Sequence, residues 1–376
     1  MVIENRGRGG LFGHPYRNKP FPFDLFLSSD AFPPVKQNDD DEAKMTEEVM
    51  ACAESLKPTE KEYTEMSELV GKVKGVLDTI RTTTDAEYLP GVVLDEVFEV
   101  GSFKKDTMLR GHRIADIVVI TKSMPTFESV ASIGQKLCNE LSDETGVVSM
   151  VSRDFGLIIT KREDKVRILI STVQSNTAAL EKDLHLCYDV IAANQASIYH
   201  ARRFESFTCT NELRPIVRIF KGMIRRFPGL EPINIWALES LIQYCIISTP
   251  TGLPLSAGAA FKRVLSQLAA GIFLPGSSGL SDPVDSRYRL CDQLSYEDMD
   301  KACSTAQTLL RILCFGGIGI LLGTSDKTPG DISTEAVYVN GQLITPLERA
   351  YEEPVVEKTE VDDTASSSAM ETTSTA

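Results

Sequence analysis

Met66, Leu69, Val70, Val73, Val76, Leu77 and Ile80 recur at helical spacing, which predicts a helix over 66–81 with one buried face. A loop carrying Pro90-Gly91 follows, then a strand over 94–100 that stops at Gly101. Residues 115–121 form an apolar run broken only by Asp116, the pattern of a strand buried on both faces. The alternation then predicts a helix over 127–141 and strands over 147–152, 156–161 and 166–172. The polar turn Arg162-Glu163-Asp164 joins the last two.

The period changes after residue 175. Helical spacing runs over 186–204, 215–226, 234–247, 257–273 and 297–315, punctuated by Pro228-Gly229, Pro250-Thr251-Gly252 and Pro275-Gly276. Strands first and helices second predict an α+β chain. A mixed sheet with helices is expected over 21–174 and an all-helical lobe over 175–353. Gly316-Gly317-Ile318-Gly319 follows a helix and reads as a C-cap and turn.

Charge modifies this picture at the two ends. The 376 residues carry 39 Lys+Arg against 53 Asp+Glu, a net charge of −14, which excludes a uniformly basic nucleic-acid binder. Residues 1–20 are nonetheless basic, with Arg6-Gly7-Arg8-Gly9-Gly10, and read as a disordered Arg/Gly arm. Residues 354–376 are acidic and Ser/Thr-rich and read as a disordered tail. The 8 cysteines show no C-x-x-C spacing and the 4 histidines no H-x-x-x-H, so core thiols are expected rather than a zinc site. Residues 1–6 hold no apolar leader, and the longest apolar run, around 309–322, is shorter than a membrane span of about 20 residues.

One constellation points to chemistry. A strand ending in Gly101-Ser102 lets backbone N–H groups and a hydroxyl approach a phosphate. Asp116 opens the next strand. Nucleotidyl transfer needs a second carboxylate two residues on, on the same strand face, and a third on a later strand, to hold two divalent ions. Here Val118 stands at the second position, Ile114 is the partner if the register shifts, and 166–172 has no acid. Gly101, Ser102, Asp116 and Val118 therefore read as a degenerate nucleotide pocket, with no catalytic residue, metal or cofactor expected. A plain tight turn and a hydrogen-bonded strand-end aspartate explain the same residues. The alternative is an active or nucleotide-binding enzyme using a displaced carboxylate, Glu163 or Asp164. His112 reads as structural.

Two further surfaces are expected. Arg218, Lys221 and Arg225 share one helix face, suited to phosphate-backbone contact alongside Arg6 and Arg8, or simply solvated. Leu309, Leu310, Leu313 and Phe315 give the helical lobe more apolar surface than a peripheral lobe exposes, suited to a partner interface or to the lobe's own core.

Several long motifs resemble the DZF domain family: Val100-Gly-Ser-Phe-Lys-Lys, Gly111-His-Arg-Ile-Ala-Asp-Ile-Val-Val-Ile, His200-Ala-Arg-Arg-Phe-Glu, Arg226-Phe-Pro-Gly-Leu-Glu-Pro, Phe273-Leu-Pro-Gly-Ser, Ser281-Asp-Pro and Thr305-Ala-Gln-Thr-Leu-Leu-Arg-Ile-Leu. The resemblance spans about 21–353. It implies a nucleotidyltransferase-like N-terminal lobe that has lost catalysis, and a helical lobe that pairs two DZF domains. It further implies a DZF-containing double-stranded-RNA-binding partner or a zinc-finger RNA-binding paralogue. Contact with RNA mainly through that complex is implied too, with a nuclear role, extending to nucleolus and cytoplasm, in RNA metabolism and transcription. No membrane partner is implied.

Overall fold

The computed structural model describes residues 23–28, 39–83, 88–142, 147–207, 211–325, 332 and 335–347. Helix α1 (Asp39–Ser55) is followed by α2 (Glu60–Thr82), whose start is set by a capping box in which Thr59 and Glu62 satisfy each other's backbone N–H groups. The chain then builds β1 (Leu94–Val100), the single turn α3 (Gly101–Lys104), β2 (Ile114–Thr121), α4 (Phe127–Leu141), β3 (Val148–Arg153), β4 (Gly156–Lys161) and β5 (Asp164–Thr172). The strands form one mixed sheet in the order β1-β2-β5-β4-β3. Only the central pair, β2 with β5, is parallel. Strand β2 is buried along nearly its whole length, which is why 115–121 reads as an apolar run broken only by Asp116, whereas β5 alternates at its start, with Lys165 exposed and Arg167 half-buried.

Helices α2 and α4 cover one side of the sheet. The stripe Met66, Leu69, Val70, Val73, Leu77 and Ile80 packs there on Ile117, Val119, Ile168 and Ile170. Helix α5 (Tyr188–Ser206) covers part of the opposite side, where Ile198 and Ala201 meet Val100, Val118 and Ile120. The expected boundary at 174/175 is thereby moved, since α5 packs on the sheet and the helical lobe begins after it.

The second lobe contains α6 (Leu213–Arg226), α7 (Ile235–Ile247), α8 (Ala257–Ala269), α9 (Tyr296–Cys314) and α10 (Ile318–Leu322), closed by the hairpin β6 (Val337–Val339) and β7 (Gln342–Ile344). Gly316, at φ +83°, ends α9 in the expected C-terminal turn, and Gly317 then caps the start of the short helix α10. Helix α1 belongs to this lobe although it precedes the sheet: Val49, Cys52 and Ala53 sit in one core with Phe220, Phe261, Leu309 and Ile312. The segment 23–28 is anchored there too. Buried Asp24 pairs with buried Arg263 at 2.7 Å and accepts from the Tyr244 hydroxyl at 3.0 Å.

Candidate functional site

The antiparallel register of β1 and β2 sets Val100 opposite Asp116, so the Gly101 turn and the aspartate meet at one place. Gly101 has φ +69°, and a Cβ there would lie 2.0 Å from Asp116 Oδ2. Glycine is thus required twice, by the left-handed backbone and by the carboxylate against it. Ser102 lies in the first turn of α3, and its carbonyl accepts from the Thr107 N–H at 2.8 Å.

The parallel register of β2 and β5 places Arg167 directly beside Asp116, and Arg167 Nε donates to Asp116 Oδ1 at 2.5 Å. Burial works against the Arg167 charge. The hydrogen bond and charge of Asp116 outweigh it and hold the guanidinium above its ordinary pKa. A fixed organic cation therefore occupies a carboxylate that a divalent ion would need. Val118 is fully buried against α5 and offers no ligand, and Ile114 offers none either. The later strand supplies a cation where a third carboxylate is required. These residues do not fit a two-metal site, since Mg²⁺ demands near-octahedral oxygen coordination. Glu163 and Asp164, the acids of the displaced-carboxylate alternative, both pair with Arg113, Asp164 at 2.7 Å from Nε.

The basic row on α6 has a different role from the one its spacing suggests. Arg214 Nε donates to the Lys105 carbonyl at 3.1 Å, Arg218 to the Asp106 carbonyl and, at 2.7 Å, to its carboxylate, and Lys221 Nζ to the Thr107 carbonyl at 2.7 Å. Three successive carbonyls thus receive cations from positions i, i+4 and i+7 of one helix. In return, Lys105 Nζ reaches across the lobes to Glu239 on α7 at 2.6 Å, with both side chains buried. Arg218 is 1% exposed and Lys221 is half-buried, so these two do not form the expected nucleic-acid face. They clasp the Gly-Ser turn to the helical lobe. Arg225 alone of the three is exposed. Arg6 and Arg8 lie outside the described residues.

Charge converges on this crevice. Lys221 is pushed down to about 8, chiefly by burial, with Glu239 opposing and Lys105 and Arg225 assisting. His112 is pushed down by burial first, then by Arg225, Lys221 and Arg167, which favours the neutral imidazole at pH 7. Nearby, His200 stacks on Trp236 with ring centres 4.0 Å apart, and Trp236 Nε1 donates to Asp282 at 3.0 Å. Burial lowers His200 to about 4, with Asp282 opposing and Lys105 assisting. The unfolded chain binds this proton more readily, so His200 removes stability as pH falls from about 6.5 towards 4. His200→Gln is expected to flatten the unfolding free energy across that window by about 3 kcal/mol relative to the wild type, measured by urea titration at each pH.

The expected interface residues divide. Leu309 and Leu313 fill the lobe's own core and are corrected to that role, because α9 packs against α8 and α10. Leu310 is half-buried against the same core. Phe315 remains 47% exposed. Sequence reasoning passed over Tyr338 and Leu343, which pair across β6 and β7 and point outward at 67% and 51% exposure. It also passed over Arg167, whose signal was available as the charge two positions into the apolar strand 166–172.

The DZF N-terminal domain model matches residues 14–208 and the DZF C-terminal domain model residues 212–345. Among solved structures, the Cid1 poly(U) polymerase with MgGTP bound is similar at 13% identity and a TM-score of 0.50, covering 72% of this chain and 94% of that one. The CdnC:HORMA-deltaN complex of E. coli MS115-1 is similar at 13% identity and a TM-score of 0.49, covering 75% and 93%. The mixed-sheet lobe followed by a helical lobe is therefore a nucleotidyltransferase-like fold. With both halves matched, and with the Gly-Ser turn, the strand-end aspartate and the helical clasp in place, the chain belongs to the DZF family.

Proposed function

We propose that this chain is a non-catalytic, nucleotidyltransferase-like module that pairs through its DZF domain with an RNA-binding partner. The observation that carries the loss of catalysis is the Arg167–Asp116 ion pair, with Val118 at the second ligand position. An internal guanidinium pairs with the one remaining carboxylate, and no acid among the described residues stands in the place of the other two. Support for pairing comes from the helical lobe. Phe315, Tyr338 and Leu343 stay exposed after the lobe has filled its own core, and exposed aromatic and aliphatic side chains of this kind suit a protein interface. The motifs resemble those of interleukin enhancer-binding factor 2 (nuclear factor 45). The partner class is accordingly a DZF-containing double-stranded-RNA-binding protein, interleukin enhancer-binding factor 3-like, or a zinc-finger RNA-binding paralogue. The complex acts in RNA metabolism and transcription regulation, in the nucleus and also in nucleolus and cytoplasm.

Co-expression with such a partner, followed by light-scattering mass after size exclusion, tests the pairing. A one-to-one complex is expected, weakened at least tenfold by Phe315→Asp with Tyr338→Asp. The same complex, given labelled nucleoside triphosphate and an RNA primer with Mg²⁺ or Mn²⁺, is expected to incorporate nothing. A monomer that ignores the partner overturns the pairing, and incorporation that disappears in Asp116→Asn overturns the loss of catalysis.

A further inference from the structure

The sheet has a second face that α5 covers only in part. Strand register assigns the sides. On β5, Val166, Ile168 and Ile170 face α2 and α4, so Lys165 and Arg167 face the other way. Met150 and Ile159 mark the covered side of β3 and β4, so Ser149, Val151, Arg153, Ile158 and Thr160 lie on the opposite side. Two rows result. One runs Ser149–Thr160–Lys165–Ile114 and the other Val151–Ile158–Arg167–Asp116. Helix α5 packs near Val100, Val118, Ile120 and Leu169, beyond the second row. Solvent reaches the rest: Ser149, Val151, Arg153 and Lys165 are exposed, and Ile158, Thr160 and Arg167 half-buried.

The charge on this face runs against that of the chain. Arg153, Lys165 and Arg167 are its cations. The one acid in the two rows, Asp116, is already paired with Arg167, and the exposed Glu96 of this face lies on the far edge strand β1, opposite Ile120. Among the described residues, no acidic side chain pairs with Arg153 or Lys165. In a chain of net charge −14, an uncovered strip of positive charge with the hydroxyls of Ser149 and Thr160 is complementary to a polyanion. Lys165 and Arg167 stand two residues apart on one strand, about 6.6 Å, and Arg153 two strands away. No aromatic side chain lies in the two rows, so the face contacts a backbone rather than stacking bases. At the Arg167 end the rows approach His112 and Lys221, and a flexible single strand fits its phosphates to so short a strip more readily than a rigid duplex.

We infer that this open sheet face, through Arg153, Lys165 and Arg167, binds the phosphate backbone of single-stranded RNA directly. The inference deepens the RNA part of the proposed function and is independent of its pairing part. A chain that pairs normally but fails the test below loses only this assignment. It also moves direct RNA contact from the α6 row, which the lobe clasp consumes, to the sheet.

The test is fluorescence anisotropy of a labelled oligouridylate with the full chain over a range of salt concentrations. Binding that weakens steeply with salt is expected. Arg153→Glu with Lys165→Glu is expected to lower affinity at least tenfold. The log–log salt slope should become shallower by about 1.4, two single-strand phosphate contacts' worth. Both side chains are exposed, so the unfolding midpoint should not move, and Arg153→Gln with Lys165→Gln should fall between the two. Unchanged affinity and slope in the charge-reversed chain overturn the inference. So does binding that appears only after deletion of residues 351–376, because the acidic tail is then the occupant. A duplex that binds as tightly and responds equally overturns the single-strand assignment.

Discussion

Glu239→Ala is expected to destabilise the chain by about 3–5 kcal/mol, the cost of leaving one member of a buried ion pair without its partner. Lys105 and Glu239 are 6% and 3% exposed and lie 2.6 Å apart, one at the end of the Gly-Ser turn and the other on α7. Burial alone raises the Glu239 carboxyl above the usual range, while Lys105 and Lys221 pull it back. Removing the carboxylate leaves the Lys105 ammonium against Phe204 and Trp236, with their ring faces as its remaining partners. The stranded ammonium then draws the turn out of the interface, which loads the three carbonyl contacts from α6. Urea unfolding should show the loss. Lys105→Met combined with Glu239→Leu should recover most of it, because an apolar pair of similar volume has no charge to leave stranded. A single substitution that costs under about 1 kcal/mol would mean that the pair is solvated and that the clasp rests on α6 alone.

Gly101→Ala is the second large effect, expected at about 4 kcal/mol or more. The left-handed backbone costs an alanine roughly 1–2 kcal/mol. The greater part comes from the new Cβ, which would sit 2.0 Å from Asp116 Oδ2 and 2.8 Å from its Cγ. Asp116 is held in place by Arg167, so it moves only by breaking that ion pair. Gly111→Ala is the control. Gly111 has φ +72°, but a Cβ at this position would meet no atom within 4 Å, so it should show the backbone cost alone. Equal destabilisation at the two positions, measured by denaturant midpoint, would remove the carboxylate contact from the explanation.

Local pattern made much of the sheet lobe legible. The strands at 94–100 and 156–161 and the helix at 127–141 begin and end where periodicity places them. Each has its apolar face, its cap or its turn encoded within a few residues. Helix α1 escaped because its sequence is dominated by charge. Only Val49, Cys52 and Ala53 enter a core, and that core is built by helices about 160 residues or more later in the chain. The β6–β7 hairpin carried a usable signal, Asn340-Gly341 between short β-prone runs, which went unread because each strand is only three residues long.

The candidate site divides in the same way. That one carboxylate remains where three are needed is a matter of composition and spacing, and it follows from residue order alone, as does the placing of sheet before helices. Whether a charged side chain faces water or another lobe depends on which distant surface folds against it. Arg218, Lys221 and Arg225 have one spacing, yet the first is buried on Asp106, the second is bound to a carbonyl and the third is exposed to solvent. Arg167 looked like any strand charge until the parallel register set it beside Asp116. Leu309 and Phe315 are six residues apart, one in the core and one outside it. Periodicity assigns residues to faces. What each face meets is settled by the folded chain, because the burial, pairing and desolvation that fix a charge's role arise between segments far apart in sequence.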